Sequence, residues 1–218
     1  MRFHGNAVRN DLSRDQIGSK RFCRNIVPIG FFISKYPSVS GFNVVNNFKN
    51  HFNVISRWRF AIKSPTVIVS FERAINFIGR AKRVEFYGFG ASGSVAADAQ
   101  HKFFRLQVSS AAYTDPHIQH MSAISLGRDD VVVAISQSGQ TLALLQSVRL
   151  AMQAGATVIG LAPRDTALSQ ECTIAIHVNM EEDEQAFAPV SSRIAHLVVI
   201  DVLATGVALK RKPALEDH

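Results

Sequence analysis

Two glycine- and serine-rich loops, each at the end of an apolar run, limit what this chain can fold into more than any other feature. The first lies in Val84-Glu85-Phe86-Tyr87-Gly88-Phe89-Gly90-Ala91-Ser92-Gly93-Ser94. The second lies in Val131-Val132-Val133-Ala134-Ile135-Ser136-Gln137-Ser138-Gly139-Gln140-Thr141. In each, a β-rich run ends in small hydroxyl and glycine residues, and a helix-period pattern follows. A loop that closes a parallel strand and opens a helix exposes backbone N–H groups and the positive end of a helix dipole. Serine and threonine hydroxyls add donors without bulk. Two such loops side by side would form a pocket for a phosphate attached to a polar body.

The surrounding periodicity supplies the scaffold. Phe71, Ala74, Ile75, Ile78 and Ala81 fall at helical spacing, with Ser70 as the expected N-cap. Strands are expected at Val84–Tyr87, Val108–Tyr113, Val131–Ile135, Thr157–Leu161 and Thr173–Val178. Helices are expected at Ser92–Leu106, Ile118–Leu126, Gln140–Ala154 (closed by Gly155), Ala167–Gln170 and Val190–Leu209, with Asp115-Pro116-His117 as a loop. Short strands alternating with helices indicate an α/β fold, a three-layer αβα sandwich around a five-stranded parallel sheet. In such sheets ligands bind at the carboxyl ends of the strands, where both loops lie. The final helix is apolar almost all round, interrupted only by Ser191, Ser192, Arg193, His196, Asp201 and Thr205. That predicts burial in a large core or a subunit interface, hence a homodimer or higher homo-oligomer.

Residues 1–65 differ in kind. They carry eleven Lys/Arg against Asp11 and Asp15, whereas residues 66–218 carry thirteen Lys/Arg against fifteen Asp/Glu. They show no sustained period and are punctuated by Pro28, Pro37 and Pro65. The division expected is a basic N-terminal segment over 1–65, a ligand-binding domain over 66–210 and a tail over 211–218. The basic block fits a nucleic-acid partner or a merely solvated segment equally well. Cys23 and Cys172 provide neither a disulfide framework nor a zinc spacing. No apolar run comes near the ~20 residues of a bilayer span, and Met1-Arg2-Phe3-His4-Gly5 starts no signal-type segment, so a cytoplasmic chain without a membrane partner is expected.

Each motif carries competing readings. Gly88-Phe89-Gly90-Ala91-Ser92-Gly93 has dinucleotide-type spacing, but no acid ends the next strand to hold a ribose, since Asp115 comes later. No cofactor is expected. Ser136, Gln137, Ser138 and Thr141 offer three hydroxyls and an amide around one helix start, more than a capping box requires, which favours a phosphate ligand. Among Glu181, Glu182, Asp183 and Glu184 a proton-transferring base is conceivable, but a solvated acidic loop is the simpler reading, and no catalytic residue is assigned. His117 and His120 lack a third ligand, so no metal is assigned. Arg193 either grips a ligand carboxylate or pairs across an interface.

The stretch from Phe71 to Leu209 resembles the SIS (sugar isomerase) domain, on the strength of the strand-Gly-x-Gly-x-Ser and Ser-x-Ser-Gly-x-Thr loops. Phe86-Tyr87-Gly88-Phe89-Gly90-Ala91-Ser92-Gly93 and Ser191-Ser192-Arg193-Ile194-Ala195-His196-Leu197 are similar to the effector domain of RpiR-type transcriptional regulators, the HexR branch in particular. The resemblance implies a sensor of carbohydrate metabolism that binds a phosphorylated sugar or sugar acid, such as 2-keto-3-deoxy-6-phosphogluconate. The ligand positions it implies are Gly90, Ser92, Ser136, Gln137, Ser138, Thr141 and Arg193. The alternative within the family is an aldose–ketose phosphosugar isomerase. Regulators of this type carry an N-terminal helix-turn-helix domain. Only Arg21-Phe22-Cys23-Arg24 is similar to it here, and Pro28 stands where its helix should continue, so DNA binding does not carry over residue by residue.

Overall fold

The computed structural model describes residues 65–180 and 191–215. Arg21-Phe22-Cys23-Arg24, the basic block that contains it, and the Glu181–Glu184 acidic run lie outside the described residues. Helix α1 spans Pro65–Arg80. Ser70, the expected cap, is inside it. The stripe of Phe71, Ala74 and Ile78 continues one turn upstream to Val67, and a proline at the first helical position sacrifices only an N–H with no helical partner anyway.

Then follow β1 (Arg83–Tyr87), α2 (Ala91–Arg105), β2 (Ser110–Tyr113), α3 (Pro116–Ile124), β3 (Asp130–Ile135), α4 (Leu142–Gln153), β4 (Thr157–Ala162), α5 (Ala167–Glu171), β5 (Ile174–His177) and α6 (Ser191–Leu215). Asp115-Pro116, expected as loop, instead opens α3. The Asp115 carboxylate accepts the Ile118 N–H at 3.0 Å and Pro116 fills the first turn. Helix α6 continues to Leu215, into the stretch expected as a tail.

All five strands are parallel, in the order β2-β1-β3-β4-β5. Side chains alternate across the sheet. Val84, Phe86, Val131, Val133, Ile135, Ile159, Leu161, Ile174 and Ile176 pack with α1, α2 and α6 on one face. Val132, Ala134, Val158 and Ala162 pack with α3, α4 and α5 on the other. Because both faces are covered, every residue of β3 is buried, which is why its sequence reads as a continuous apolar run and not as an alternation. From the central pair, β1 leads outward to β2 and β3 leads outward to β4 in opposite directions. With crossovers of one hand, that sends α2 and α4 to opposite faces. The gap between β1 and β3 is therefore the switch point.

Helix α6 corrects one expectation and leaves another open. Over Ser191–Arg211 it is long and apolar enough to cross a membrane by length and composition, with hydropathy 1.6, contrary to the reading that no segment approaches that length. It is not covered all round, either. Ala195, Val199, Ile200, Leu203 and Val207 are buried in the sheet-side core, while Arg193, Asp201, Thr205 and Leu209 are exposed. The chain's own core covers only part of its apolar surface, since Leu209 is exposed and Ile194, Leu197, Val198 and Val202 are half-buried. Gly206 permits the close crossing with α1, since a Cβ there would collide with Ile75 Cδ1.

One carboxylate interrupts the core. Glu85 on β1 is fully buried and accepts hydrogen bonds from the Tyr87 hydroxyl at 2.6 Å and the Ser122 hydroxyl at 2.7 Å, with Arg83 Nε 3.4 Å away. These contacts moor α3 to the sheet. Burial first, then the hydrogen bond to Glu85 and its charge, hold the Tyr87 phenol well above the usual tyrosine range. A pKa raised in the folded state contributes stability that is intact below the unfolded value of about 10 and is lost as pH rises beyond it. Urea unfolding across that range is expected to show stability falling by up to about 1.4 kcal/mol per pH unit from this group, and Tyr87→Phe is expected to flatten that alkaline arm. Identical slopes for both proteins would refute the assignment.

Candidate functional site

The register of the central pair sets the site. Tyr87 lies opposite Ala134, so the chain leaves both strands at the same level, into Gly88-Phe89-Gly90 on one side and Ser136-Gln137-Ser138-Gly139-Gln140-Thr141 on the other. Between them is an open cavity of ≈ 150 Å³ lined by Phe89, Ala91, Ser92, Ile135, Ser136, Gln137, Ser138, Thr141, Leu144, Ser192, Arg193 and His196. Ser92, Ser136, Gln137, Ser138, Thr141 and Arg193, all singled out from sequence, meet at this one cavity. Gly90 does not line it; it is the N-cap of α2, with φ 53°.

The first loop is shaped by close approach. A Cβ at Gly88 would lie 2.6 Å from the Ser92 carbonyl oxygen, so only glycine lets the chain fold back on the first turn of α2. Asp115, the acid nearest the end of β2, is committed to capping α3. The second loop turns on Gly139, whose φ of +63° is the left-handed region. A Cβ there would collide with the Thr166 hydroxyl. Thr166 has no room to retreat, because its hydroxyl donates to the Pro163 carbonyl and it shares a capping box with Ser169 at the start of α5.

The hydroxyls in the second loop differ in their commitments. Ser136 is 4% exposed, and its Oγ accepts the Gly139 N–H at 2.9 Å. Accepting leaves its own proton to donate. Ser138 is exposed and accepts the Gln140 N–H at 3.2 Å. Thr141 is the N-cap of α4, yet its side chain makes no capping hydrogen bond. The ordinary capping-box explanation for this loop therefore fails at the residue it needs.

A third wall comes from α6. Ser192, Arg193 and His196 occupy its first two turns, Ser192 and His196 almost wholly buried and Arg193 exposed. Sequence reasoning identified Arg193 for the site and missed Ser192 and His196. The signal was there: positions 192 and 196 are four apart, hence on one helical face beside Arg193. Three helix N-termini thus converge on one cavity. None has an acidic residue in its first turn, and neither Gly90 nor Thr141 makes a side-chain cap. Their dipoles point at the same space, where the described lining residues supply five hydroxyls and one guanidinium and no carboxylate, while the Ser92, Gly93 and Ser94 N–H groups of α2 are bonded to the Phe89 and Gly90 carbonyls. That arrangement selects an anion. Cys172 is not part of it, and burial pushes its thiol up, away from an activated nucleophile.

Comparison with known proteins identifies the family and the fold. The family model of the SIS domain matches residues 77–206. The bifunctional protein glk of Paraburkholderia xenovorans is 46% identical over 140 residues, 64% of this chain and 22% of that protein. The HTH-type transcriptional regulator HexR of Pseudomonas aeruginosa is 40% identical over 154 residues, 71% of this chain and 53% of the regulator. The chain therefore spans about half the length of one relative and about a fifth of the other. Among solved structures, the Vibrio vulnificus NanR protein complexed with ManNAc-6P shares the fold, with a TM-score of 0.72 at 20% identity over 86% of this chain and 68% of that one.

Gly139→Ala is expected to destabilise the fold by about 2–4 kcal/mol, from the left-handed backbone and the collision with Thr166. Chemical denaturation measures it, and an unchanged midpoint would show that the loop does not have this conformation.

Proposed function

The chain belongs to the SIS domain family, and from that premise we propose that residues 66–210 are the ligand-sensing part of an RpiR-type transcriptional regulator similar to HexR. The observation that carries the reading is the convergence of three acid-free helix N-termini on one hydroxyl-lined cavity. A phosphate is the anion with enough oxygens to use such a ring of donors. Ser92, Ser136, Ser138 and Thr141 hydrogen-bond its oxygens, Gly90 frees the backbone at the start of α2, and Gln137 faces the sugar hydroxyls. Arg193 grips a carboxylate at the other end of the ligand, a planar pairing that neutral sugars cannot make. The ligand class is thus a phosphorylated sugar acid, with 2-keto-3-deoxy-6-phosphogluconate as its representative. The complex of NanR with ManNAc-6P supports a phosphosugar in this fold.

In the intact regulator, ligand binding here alters how a basic N-terminal part holds DNA, in the cytoplasm and as a homodimer. Eleven Lys/Arg in residues 1–65 supply charge for phosphate-backbone contacts, whose strength falls steeply with salt. His196, 1% exposed in the cavity wall, keeps the isomerase alternative in view, because an imidazole there could move a proton between adjacent carbons.

The test is a thermal-shift titration with 2-keto-3-deoxy-6-phosphogluconate, followed by NMR of the recovered ligand. Ser92→Ala and Ser136→Ala are each expected to weaken binding about 10–100-fold, the worth of a hydrogen bond to a charged group. The ligand is expected to return unchanged. Equal shifts in wild type and both variants would contradict the site, and interconversion of the sugar phosphate would turn the reading to an isomerase.

A further inference from the structure

The two charged ends of a ligand account for the polar side of the cavity, but its lining also contains Phe89, Ala91, Ile135 and Leu144. Ile135 and Leu144 are 1% and 2% exposed, so they form a floor with almost no surface left to touch. Phe89 and Ala91 are half-buried, and Ala91 has only a methyl group to offer. Among the described residues, Phe89 is therefore the large apolar side chain that a ligand in this cavity can meet. It stands out in its own loop too. Gly88-Phe89-Gly90-Ala91-Ser92-Gly93 is otherwise built of glycine, alanine and serine, small residues that let a backbone approach a bound group closely. A ring supplies no donor to a phosphate and adds bulk where the rest of the loop avoids it.

Both the backbone and the side chain of Phe89 are anchored. Its carbonyl accepts the Ser92 N–H at 3.0 Å and the Gly93 N–H at 3.2 Å, which ties it to the first turn of α2. Its side chain packs against the core cluster that contains Tyr87, Ala134 and Leu144. An aromatic surface fixed beside a ligand discriminates by what it cannot do. A ligand carbon bearing a hydroxyl gives up water on meeting the ring and receives no hydrogen bond in return, whereas a methylene buries its C–H groups there without that cost. An apolar wall of this kind disfavours an added hydroxyl by up to about 100-fold.

We propose that Phe89 is a specificity-determining residue: its ring lies along a ligand carbon that carries no hydroxyl, so the cavity prefers phosphorylated sugar acids with a methylene in the chain to their hydroxylated counterparts. This role rests on the phosphorylated sugar acid as the ligand class and adds which part of its chain the protein reads. The site then divides by chemistry, with the serine and threonine hydroxyls at the phosphate, Arg193 at the carboxylate, Gln137 toward the ligand hydroxyls and Phe89 against the deoxygenated carbon. In 2-keto-3-deoxy-6-phosphogluconate that carbon is C3.

Isothermal titration calorimetry on the full chain tests this with two ligands that differ by one oxygen, 2-keto-3-deoxy-6-phosphogluconate and 2-keto-6-phosphogluconate. Wild type is expected to bind the deoxy ligand about 10–100-fold more tightly. Phe89→Ser is expected to remove most of that preference, since the serine hydroxyl can pair with the added one. Phe89→Leu, still apolar, is expected to retain it. The readout is a ratio of two affinities on the same protein, so a variant that loses part of its folded population still gives an answer. Equal affinities in wild type, an unchanged preference in Phe89→Ser, or a preference lost equally in Phe89→Leu would each overturn the role of Phe89 while leaving the phosphosugar-acid site standing. Binding of neither ligand to wild type would overturn that site and the role of Phe89 with it.

Discussion

The hydrogen-bonded pairing of β1 with β3 is the constraint on which the rest depends. These strands are far apart in sequence yet adjacent in the sheet, and Phe86 opposite Val133 with Tyr87 opposite Ala134 brings their ends level. A slip of one residue would exchange the faces of every side chain on β1, turning Glu85 toward the α1–α2–α6 core and Phe86 toward Ser122. Glu85 blocks that slip, because its carboxylate is satisfied only on the face where Tyr87 and Ser122 donate to it. A buried charge thus specifies the register, and the register aligns the two loops.

Once the loops are level, the electrostatics follow from topology. Strands that leave the switch point in opposite directions bring α2 and α4 from opposite faces, and α6 returns along the α2 side to place its own first turn at the same gap. A helix dipole near the surface contributes about 0.3–1 kcal/mol toward an anion, whereas a hydrogen bond to a charged group contributes about 1.5–3 kcal/mol. Directed donors therefore dominate affinity, and the dipoles set the sign of the charge admitted. Arg193 is exposed and in line with that cavity, suited to discriminate among anions more than to anchor them.

Much of this was legible in the sequence. The apolar runs of β1, β3 and β4 are unambiguous because both faces of a parallel sheet are covered, and each loop announces itself as a glycine–serine cluster at a strand end. Local signals were less decisive at element starts. Ser70 is a good cap by type, but Val67 extends the buried stripe past it to Pro65. Asp115-Pro116 has the chemistry of a helix start and of a turn alike, and only the bond to the Ile118 N–H decides. Composition alone does not say which part of α6 the core covers, because its apolar residues outnumber the positions one face can hold. Ser192 and His196 were missed because they reach the cavity from a helix remote in sequence. Nothing in the two loop motifs refers to it.

The central claim is that one anionic group is held between the ends of β1 and β3. A crystal structure of the protein with a bound phosphorylated sugar acid tests it directly. The account predicts the phosphorus within hydrogen-bonding range of both the Ser92 and the Ser136 loops, with the sugar running toward Arg193. A phosphate bound at any other place on the surface, or held by one loop alone, would contradict it.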